Sequence, residues 1–504
     1  MSKVYLLGAG PGDPGLLTLR AKEILEKADV VVYDALANAS FLDFARPDAE
    51  RIYVGKIADQ HAMSQENINR LLVEKAKEGK DVARLKGGDP YIFGRGGEEA
   101  QELLAAGVEF EEVPGITSTI AAPAYAGIPL THRDFSSSVT IVTGHENPDK
   151  KESSLDWPSL ARSASTLVFV MGMKNLPLIS KHLIDAGMKP DTPAALVYRG
   201  TTPFQRTLVS TIGGLPERAV QEHFTNPSVI VVGGVCRLHD SLDWFGKKPL
   251  LGRRVVVTRA RAQASGLAAL LAEQGAYVLQ CPTIRIQPLA DQSALDSRLG
   301  SLDSYAWVIF TSVNGVKVFW ERLRHAGRDS RAIGRTRVAA IGPATAGELR
   351  KHGIFPDFVP PKYIAESVIE GLTAQGGLKG TKILIPRAAK AREILPDALR
   401  AQGAEVDVVP VYETVPECSD KETFLAALRA GELDCITFGS SSTVDNLLSI
   451  VTAEELKEHP EVKLACIGPV TARTLEGHGL KCAVMPDEYT IPALVQALID
   501  TYRS

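Results

Sequence analysis

Six cysteines in 504 residues, none in a Cys-x-x-Cys pair, are too few and too scattered for a disulfide framework or a thiolate metal cluster. Cys236, Cys281, Cys418, Cys435, Cys466 and Cys482 lie mostly in or beside apolar runs and read as small buried thiols of a reducing compartment. Charge of one sign is also lacking: 56 Lys and Arg stand against 60 Asp and Glu, a net of −4. A dedicated nucleic-acid binder needs a basic face, so no nucleic-acid partner is expected. No apolar run approaches the ~20 residues that cross a bilayer, and the opening run Val4–Leu7 stops at Gly8, too short for a signal core. The expected location is the cytoplasm, with no membrane partner. The chain has no GK[ST] phosphate loop and no GxGxxG strand–helix fingerprint. His132 has no second histidine at ligand spacing, so no metal is expected.

What the sequence does contain is alternation. Short β-branched runs (Val4–Leu7, Val30–Tyr33, Ile52–Val54, Val82–Leu85) alternate with amphipathic stretches at about 16–27, 65–78 and 97–106. A second group of strand-like runs lies at Val139–Thr143, Leu167–Met171, Ala194–Tyr198, Thr207–Thr211 and Val229–Val232. This pattern predicts an α/β fold. The length allows about three domains. The turn-rich segment 241–252 reads as a joint between residues 1–240 and 253–504, and its Trp244 and Phe245 suggest that it packs.

The second half repeats itself. Ala339–Ile354 (AAIGPATAGELRKHGI) and Ala465–Leu480 (ACIGPVTARTLEGHGL) match at nine of sixteen positions, 126 residues apart. Val255–Arg259 aligns with Ile383–Arg387, and Phe310-Thr311-Ser312 with Phe438-Gly439-Ser440, each 128 apart. A period this long predicts two similar α/β lobes facing a cleft.

Two glycine-rich loops stand out in the first half. Gly8-Ala9-Gly10-Pro11-Gly12-Asp13-Pro14-Gly15 follows the first strand, and Lys86-Gly87-Gly88-Asp89-Pro90-Tyr91-Ile92-Phe93-Gly94-Arg95-Gly96-Gly97-Glu98-Glu99 follows Val82–Leu85. Alone, the first is read equally well as a structural turn or as a ligand contact. Two such loops at the carboxyl ends of strands mark where open α/β sheets bind ligands. A third candidate is Val113-Pro114-Gly115-Ile116-Thr117-Ser118.

The ordered set GAGPGDPGLLTL, VVYD, VGK, RLKGGDPYIFGRGGEE, VPGIT, GIPLTHRD, VTGH and FVMGM, over residues 3–240, resembles uroporphyrinogen-III C-methyltransferase. The resemblance implies a two-lobed methyltransferase, usually a homodimer, using S-adenosylmethionine and releasing S-adenosylhomocysteine. It implies cofactor contacts at Pro11, Gly87, Gly88, Asp89, Ile92, Thr117, Ser118, Met171 and Gly200. Ser118 stands where many relatives have alanine. Methylation of two macrocycle carbons of uroporphyrinogen III to give precorrin-2 leaves a cationic ring that must lose a proton. By resemblance Asp34 accepts it, Lys56 is the candidate donor, and Arg95, Glu98 and Arg133 face the polycarboxylate substrate. Without the resemblance, each of these charges reads as a solvated surface group.

The patterns VVVTR, FTSVNGV, AIGPATA, YIAESV, ILIPRA, VYET, FGSSSTV and IGPVTA resemble uroporphyrinogen-III synthase. That family has two α/β lobes and closes linear hydroxymethylbilane with inversion of the last ring. Tyr412 matches the tyrosine proposed there to assist departure of the leaving group. Its repeat partner is the apolar Ile284, so the hydroxyl occurs in one copy only, although a core tyrosine is the alternative. Arg259, Thr311, Ser312, Thr345, Arg387, Ser440, Ser441 and Thr471 are carboxylate-binding candidates. The six hydroxyl residues sit at the starts of four predicted helices, where simple capping also explains them. The synthase product is the methyltransferase substrate. A rival reading makes the second half a non-catalytic tetrapyrrole-binding module.

Overall fold

The computed structural model describes residues 2–55, 63–144, 155–163, 165–258, 261–282, 284–361, 365–374, 377–391, 393–416 and 421–503. It divides into two compact units. One is 1–254 with 270–277 and 502–504; the other is 255–269 with 278–501.

The first unit holds two five-stranded sheets. β1 (Lys3–Gly8), β2 (Val30–Tyr33), β3 (Glu50–Tyr53), β4 (Val82–Lys86) and β5 (Glu109–Val113) lie in the order β3-β2-β4-β1-β5. All their pairings are parallel, so every strand ends on the same edge. β6 (Val139–Thr143), β7 (Thr166–Val170), β8 (Pro193–Tyr198), β9 (Arg206–Thr211) and β10 (Ser228–Gly233) form the mixed second sheet, β6-β7-β10-β8-β9. Four helices matter for the site: α1 (Leu19–Leu25), α2 (Gln65–Lys77), α3 (Gly96–Ala105) and α4 (Ser118–Tyr125). The helix expected over 16–27 is shorter, because Pro14–Leu16 forms a 3-10 turn and Thr18 caps the start of α1. β4 is buried along its whole length, as a central parallel strand must be.

The joint packs within this unit. Trp244 Nε1 donates to Ala124 O at 3.2 Å, and the Trp244 and Phe245 rings lie 4.9 and 4.8 Å from Tyr125 at the end of α4.

In the second unit the strands are β11 (Arg254–Val257), β12 (Tyr277–Gln280), β13 (Ile284–Pro288), β14 (Trp307–Phe310), β15 (Arg337–Ala340), β16 (Lys382–Ala388), β17 (Glu405–Pro416), β18 (Cys435–Phe438) and β19 (Lys463–Cys466). The sheets run β12-β11-β18-β19 and β13-β17-β16-β14-β15. The two lobes are therefore not the two sequence repeats. Each repeat places its first two repeated strands in one sheet and its last two in the other, so β11 and β12 pair with β18 and β19, while β16 and β17 pair with β14 and β15. The sequence period counts copies of chain; the sheets count hydrogen-bonded partners, and these cross between copies. Equivalent helices follow equivalent strands: α5 (Val313–His325) and α6 (Pro343–Lys351) in one lobe, α7 (Ser441–Leu448) and α8 (Pro469–Gly477) in the other.

Among the described residues no helix is long and apolar enough to cross a membrane, and no group of three or more His, Cys, Asp or Glu could hold a metal ion. Five of the cysteines are described, none of them in a disulfide, and Cys482 alone of these is not buried.

Because each sheet needs strands from both repeats, residues 253–381 and 382–504 expressed separately should give little native circular dichroism, and mixing them should restore it. Independent cooperative unfolding of either piece would contradict this strand exchange.

Candidate active sites

Three loops meet at the carboxyl edge of the first sheet. Gly10 and Gly88 exchange backbone hydrogen bonds, at 3.1 and 2.7 Å. A Cβ on Gly115 would lie 2.2 Å from Gly88 O and 2.6 Å from the Gly8 Cα, so only glycine lets the three backbones touch. Asp89 locks them: Oδ1 accepts from the N–H groups of Tyr91 (2.8 Å) and Ile92 (2.9 Å), and Oδ2 from that of Gly115 (3.0 Å). A carboxylate assigned to the cofactor thus already clasps two loops. Gly87 is pressed against Leu36, where a Cβ would sit 2.5 Å from the leucine Cβ, which joins the loop after β2 to the assembly.

Asp34 ends that neighbouring strand. Its Oδ1 accepts from Leu36 N at 3.1 Å and its Oδ2 from Arg84 Nη2 at 3.2 Å. Arg84 is buried, and its Nε reaches Glu99 Oε1 at 3.4 Å. Lys86 Nζ lies 2.7 Å from the same oxygen, and Gln65 donates to it at 3.0 Å. Val82, Arg84 and Lys86 alternate onto one face of β4, towards α2 and α3, and Glu99 shares the buried side of α3 with Leu103. Burial and the adjacent Arg84 lower the Lys86 pKa against the pull of Glu99. Glu99 Oε2 is buried with no hydrogen-bond partner among the described residues.

Arg84, Lys86 and Glu99 were not among the sequence candidates, which took Glu98 and Arg95 from the same motif. The missed signal was positional: two cations at alternate positions of a strand buried on both faces require an acid opposite. Four residues before Leu103, Glu99 is on the inward side of α3 and Glu98 is not. Arg95 and Glu98 instead form an exposed pair at 2.6 Å, with Arg95 at φ 59°. Arg133 is exposed. Lys56 lies outside the described residues.

The second sheet contributes two loops. Met171 follows β7 at φ 56° and is half exposed, and Gly200 lies between Arg199 (φ 44°) and Thr201 (φ 69°). Left-handed non-glycine residues cost energy and persist where surroundings hold them. Here the hold runs to the first loop, since Asp13 N donates to Thr201 Oγ1 (3.2 Å), and Gln205 bonds both Thr201 N (2.8 Å) and Tyr125 O (3.1 Å). The Tyr125 hydroxyl donates to Asp13 Oδ2 at 2.7 Å, and its burial beside that carboxylate raises its pKa. Pro11 lies in this first loop; Thr117 caps α4 and Ser118 begins it. Glycine backbones at this edge, with the half-exposed apolar Ile92 on the same loop and the half-exposed Met171 after β7, suit an amphipathic ligand such as an adenosyl sulfonium compound.

In the second half, the Tyr412 Oη and Ser312 Oγ, both sequence candidates, lie 3.0 Å apart. Ser312 caps α5 by accepting from Gly315 N at 3.0 Å. Ser440 caps α7 within a capping box, and Ser441 Oγ accepts from Thr474 Oγ1 at 2.9 Å. Thr345 and Thr471 are buried near the starts of α6 and α8, and Arg387 is buried and paired with Glu393. Thr311 precedes the α5 cap. Arg259 lies outside the described residues.

Two family patterns match the chain. Tetrapyrrole (Corrin/Porphyrin) Methylases covers residues 3–216, and Uroporphyrinogen-III synthase HemD covers 265–496. A porphyrin biosynthesis protein HemD of Ruminiclostridium josui is 38% identical over 99% of this chain and 97% of its own length. A uroporphyrinogen-III C-methyltransferase of Bacillus subtilis is 42% identical over 71% of the chain and 73% of its own length. An S-adenosyl-L-methionine-dependent uroporphyrinogen III methyltransferase of Methanosarcina barkeri is 54% identical over 48% of the chain and 94% of its own length.

Replacing Glu99 by alanine leaves the buried Lys86 without its carboxylate and Arg84 with Asp34 alone. Chemical denaturation of the first half should then show a loss of roughly 3–5 kcal/mol. A loss below about 1 kcal/mol would mean that water neutralises the pocket.

Proposed function

We propose how two consecutive reactions are divided along this chain, which belongs to the family in which a tetrapyrrole methylase is joined to a uroporphyrinogen-III synthase. The second half closes hydroxymethylbilane to uroporphyrinogen III, and the first half methylates that product twice to precorrin-2. One observation carries this reading: a single relative matches the chain from end to end, and the two family patterns within it catalyse steps that share an intermediate. A non-catalytic second half would leave that succession unexplained.

S-adenosylmethionine supplies the electrophilic methyl group when bound. Pro11, Gly87, Gly88, Ile92, Thr117, Ser118, Met171 and Gly200 hold it, with Asp89 acting through the loops it clasps. Asp34 takes the proton that the methylated ring carbon sheds. The Leu36 N–H and the Arg84 guanidinium fix its orientation and leave lone pairs free to receive that proton. Arg95 and Arg133 meet substrate carboxylates; Arg95 releases Glu98 to do so. Lys56 is the proton donor in this scheme. In the second half the work is to fold a flexible polyanion into its closing geometry, and polar helix starts at Ser312 and Ser440 suit it. Thr311, Thr345, Ser441 and Thr471 stand near the same helix starts, and Arg259 and Arg387 add cationic partners. Tyr412 gives a proton to the departing hydroxyl.

The full chain supplied with hydroxymethylbilane should yield the type III isomer without S-adenosylmethionine and precorrin-2 with it. Only type I isomer, the product of spontaneous closure, would remove the synthase assignment. Asp34→Asn should lower methyl-transfer kcat by at least about 100-fold with little change in cofactor affinity. Equal losses in both would remove the base role. The protein acts as a homodimer through its first half, and light scattering giving a monomer mass at working concentration would refute this.

A further inference from the structure

We propose that Ser312 is a positioning residue for the synthase reaction, directing the Tyr412 hydroxyl hydrogen at the leaving group. The inference rests on the reading of Tyr412 as proton donor.

The argument is a count of hydrogens. Ser312 Oγ accepts from Gly315 N–H at 3.0 Å and lies 3.0 Å from Tyr412 Oη. Two arrangements fit these distances. If Tyr412 donates to Ser312, the serine oxygen receives two hydrogens and the tyrosine has none left to give. If Ser312 donates, its oxygen is satisfied by the amide, Tyr412 accepts, and the tyrosine hydrogen is free for a third oxygen. With an acceptor present, the second arrangement satisfies every hydrogen in a chain running from Gly315 N–H through Ser312 and Tyr412 to the substrate oxygen. The first amides of a helix carry a partial positive charge, so a hydrogen-bond chain that starts at one runs outward from it. Tyr412 is almost wholly buried, 7% exposed, within an apolar cluster that holds the ring in place. Its hydroxyl therefore depends on its neighbours for direction.

The repeat offers a comparison. Ser440, the counterpart of Ser312, also caps its helix, but the counterpart of Tyr412 is Ile284. The Ser440 hydroxyl lies 3.0 Å from the neighbouring Ser442 Oγ, where the first copy has Asn314. Capping is common to the two copies; the pairing with a tyrosine belongs to one.

In the chemical step the Tyr412 O–H bond breaks and its proton joins the hydroxyl leaving the hydroxymethyl carbon. The departing group is water, the C–O electron pair goes with it, and the phenolate is held by the Ser312 hydrogen bond. The proton lost later, when the rearranged ring closes, restores the phenol.

Capping and donation can be separated in the full chain. Aspartate is a good N-cap with no hydrogen to give at neutral pH. Ser312→Asp should keep the thermal midpoint, yet lower kcat for the type III isomer about tenfold, the worth of one well-placed hydrogen bond, apart from any rise in KM that the added carboxylate causes with a polyanionic substrate. Ser312→Thr, with a hydroxyl, should retain activity. Ser312→Gly, which a helix start also tolerates, should repeat the kcat loss should the aspartate variant misfold. In a Tyr412→Phe background neither Ser312→Asp nor Ser312→Gly should cost anything further. Full kcat in folded Ser312→Asp or Ser312→Gly, or the same fold loss with and without Tyr412, would overturn the proposal while leaving Tyr412 its role. Full kcat in Tyr412→Phe would instead remove the reading of Tyr412 itself.

Discussion

The contact of three bare backbones at Gly8, Gly88 and Gly115 is the constraint on which the first half depends. Parallel strands bring their carboxyl ends to one edge, but side chains would hold the loops apart. Removing the Cβ at Gly8 and Gly115 lets Gly88 O approach the Gly115 backbone and lets Asp89 reach from one loop to the next. Once the loops are fixed, Gly87 is pressed on Leu36, and Leu36 N helps to hold Asp34. Glycines that look like a nest for a ligand are thus also the fasteners that set a carboxylate in place.

A second demand acts from below. Arg84 and Lys86 lie on a strand with no access to water, and Glu99 answers both through one oxygen. Such a cluster costs desolvation energy and adds little stability, but it fixes geometry, because breaking it strands a charge. Here Arg84 reaches onward to Asp34. A carboxylate at the site's surface is aligned by a carboxylate at its floor, with a guanidinium between them.

Much of this was legible in the sequence. Strand periods, the glycine loops and the joint's aromatics follow from local rules, and the β4 run from Val82 to Leu85 lies within the observed strand. What escaped was partnership across the chain. Glu98 and Glu99 are chemically identical, and only the direction of α3 separates an exposed partner of Arg95 from a buried partner of Arg84 and Lys86. The helix start expected at Leu16 yielded to the turn at Pro14 and the cap at Thr18, a local competition that periodicity does not see. The repeat in the second half was plain, but which copy pairs with which is a matter of hydrogen bonding between segments more than a hundred residues apart. Sequence similarity between copies is blind to it.

That exchange of strands bears on how one duplicated unit came to hold an asymmetric site. Tyr412 lies on β17 of the second repeat, and Ser312 caps the helix after β14 of the first. If each repeat formed its own sheet, the two would sit in different lobes. Because the sheets exchange strands, residues from both copies meet within one lobe, 3.0 Å apart. A substitution in one copy then changes one lobe only, while the backbone symmetry that supports both sheets is left intact. In the other lobe Ser440 caps its helix as Ser312 does, but its hydroxyl meets Ser442, where the first copy has Asn314, so the two copies keep the cap and differ in the side chains around it.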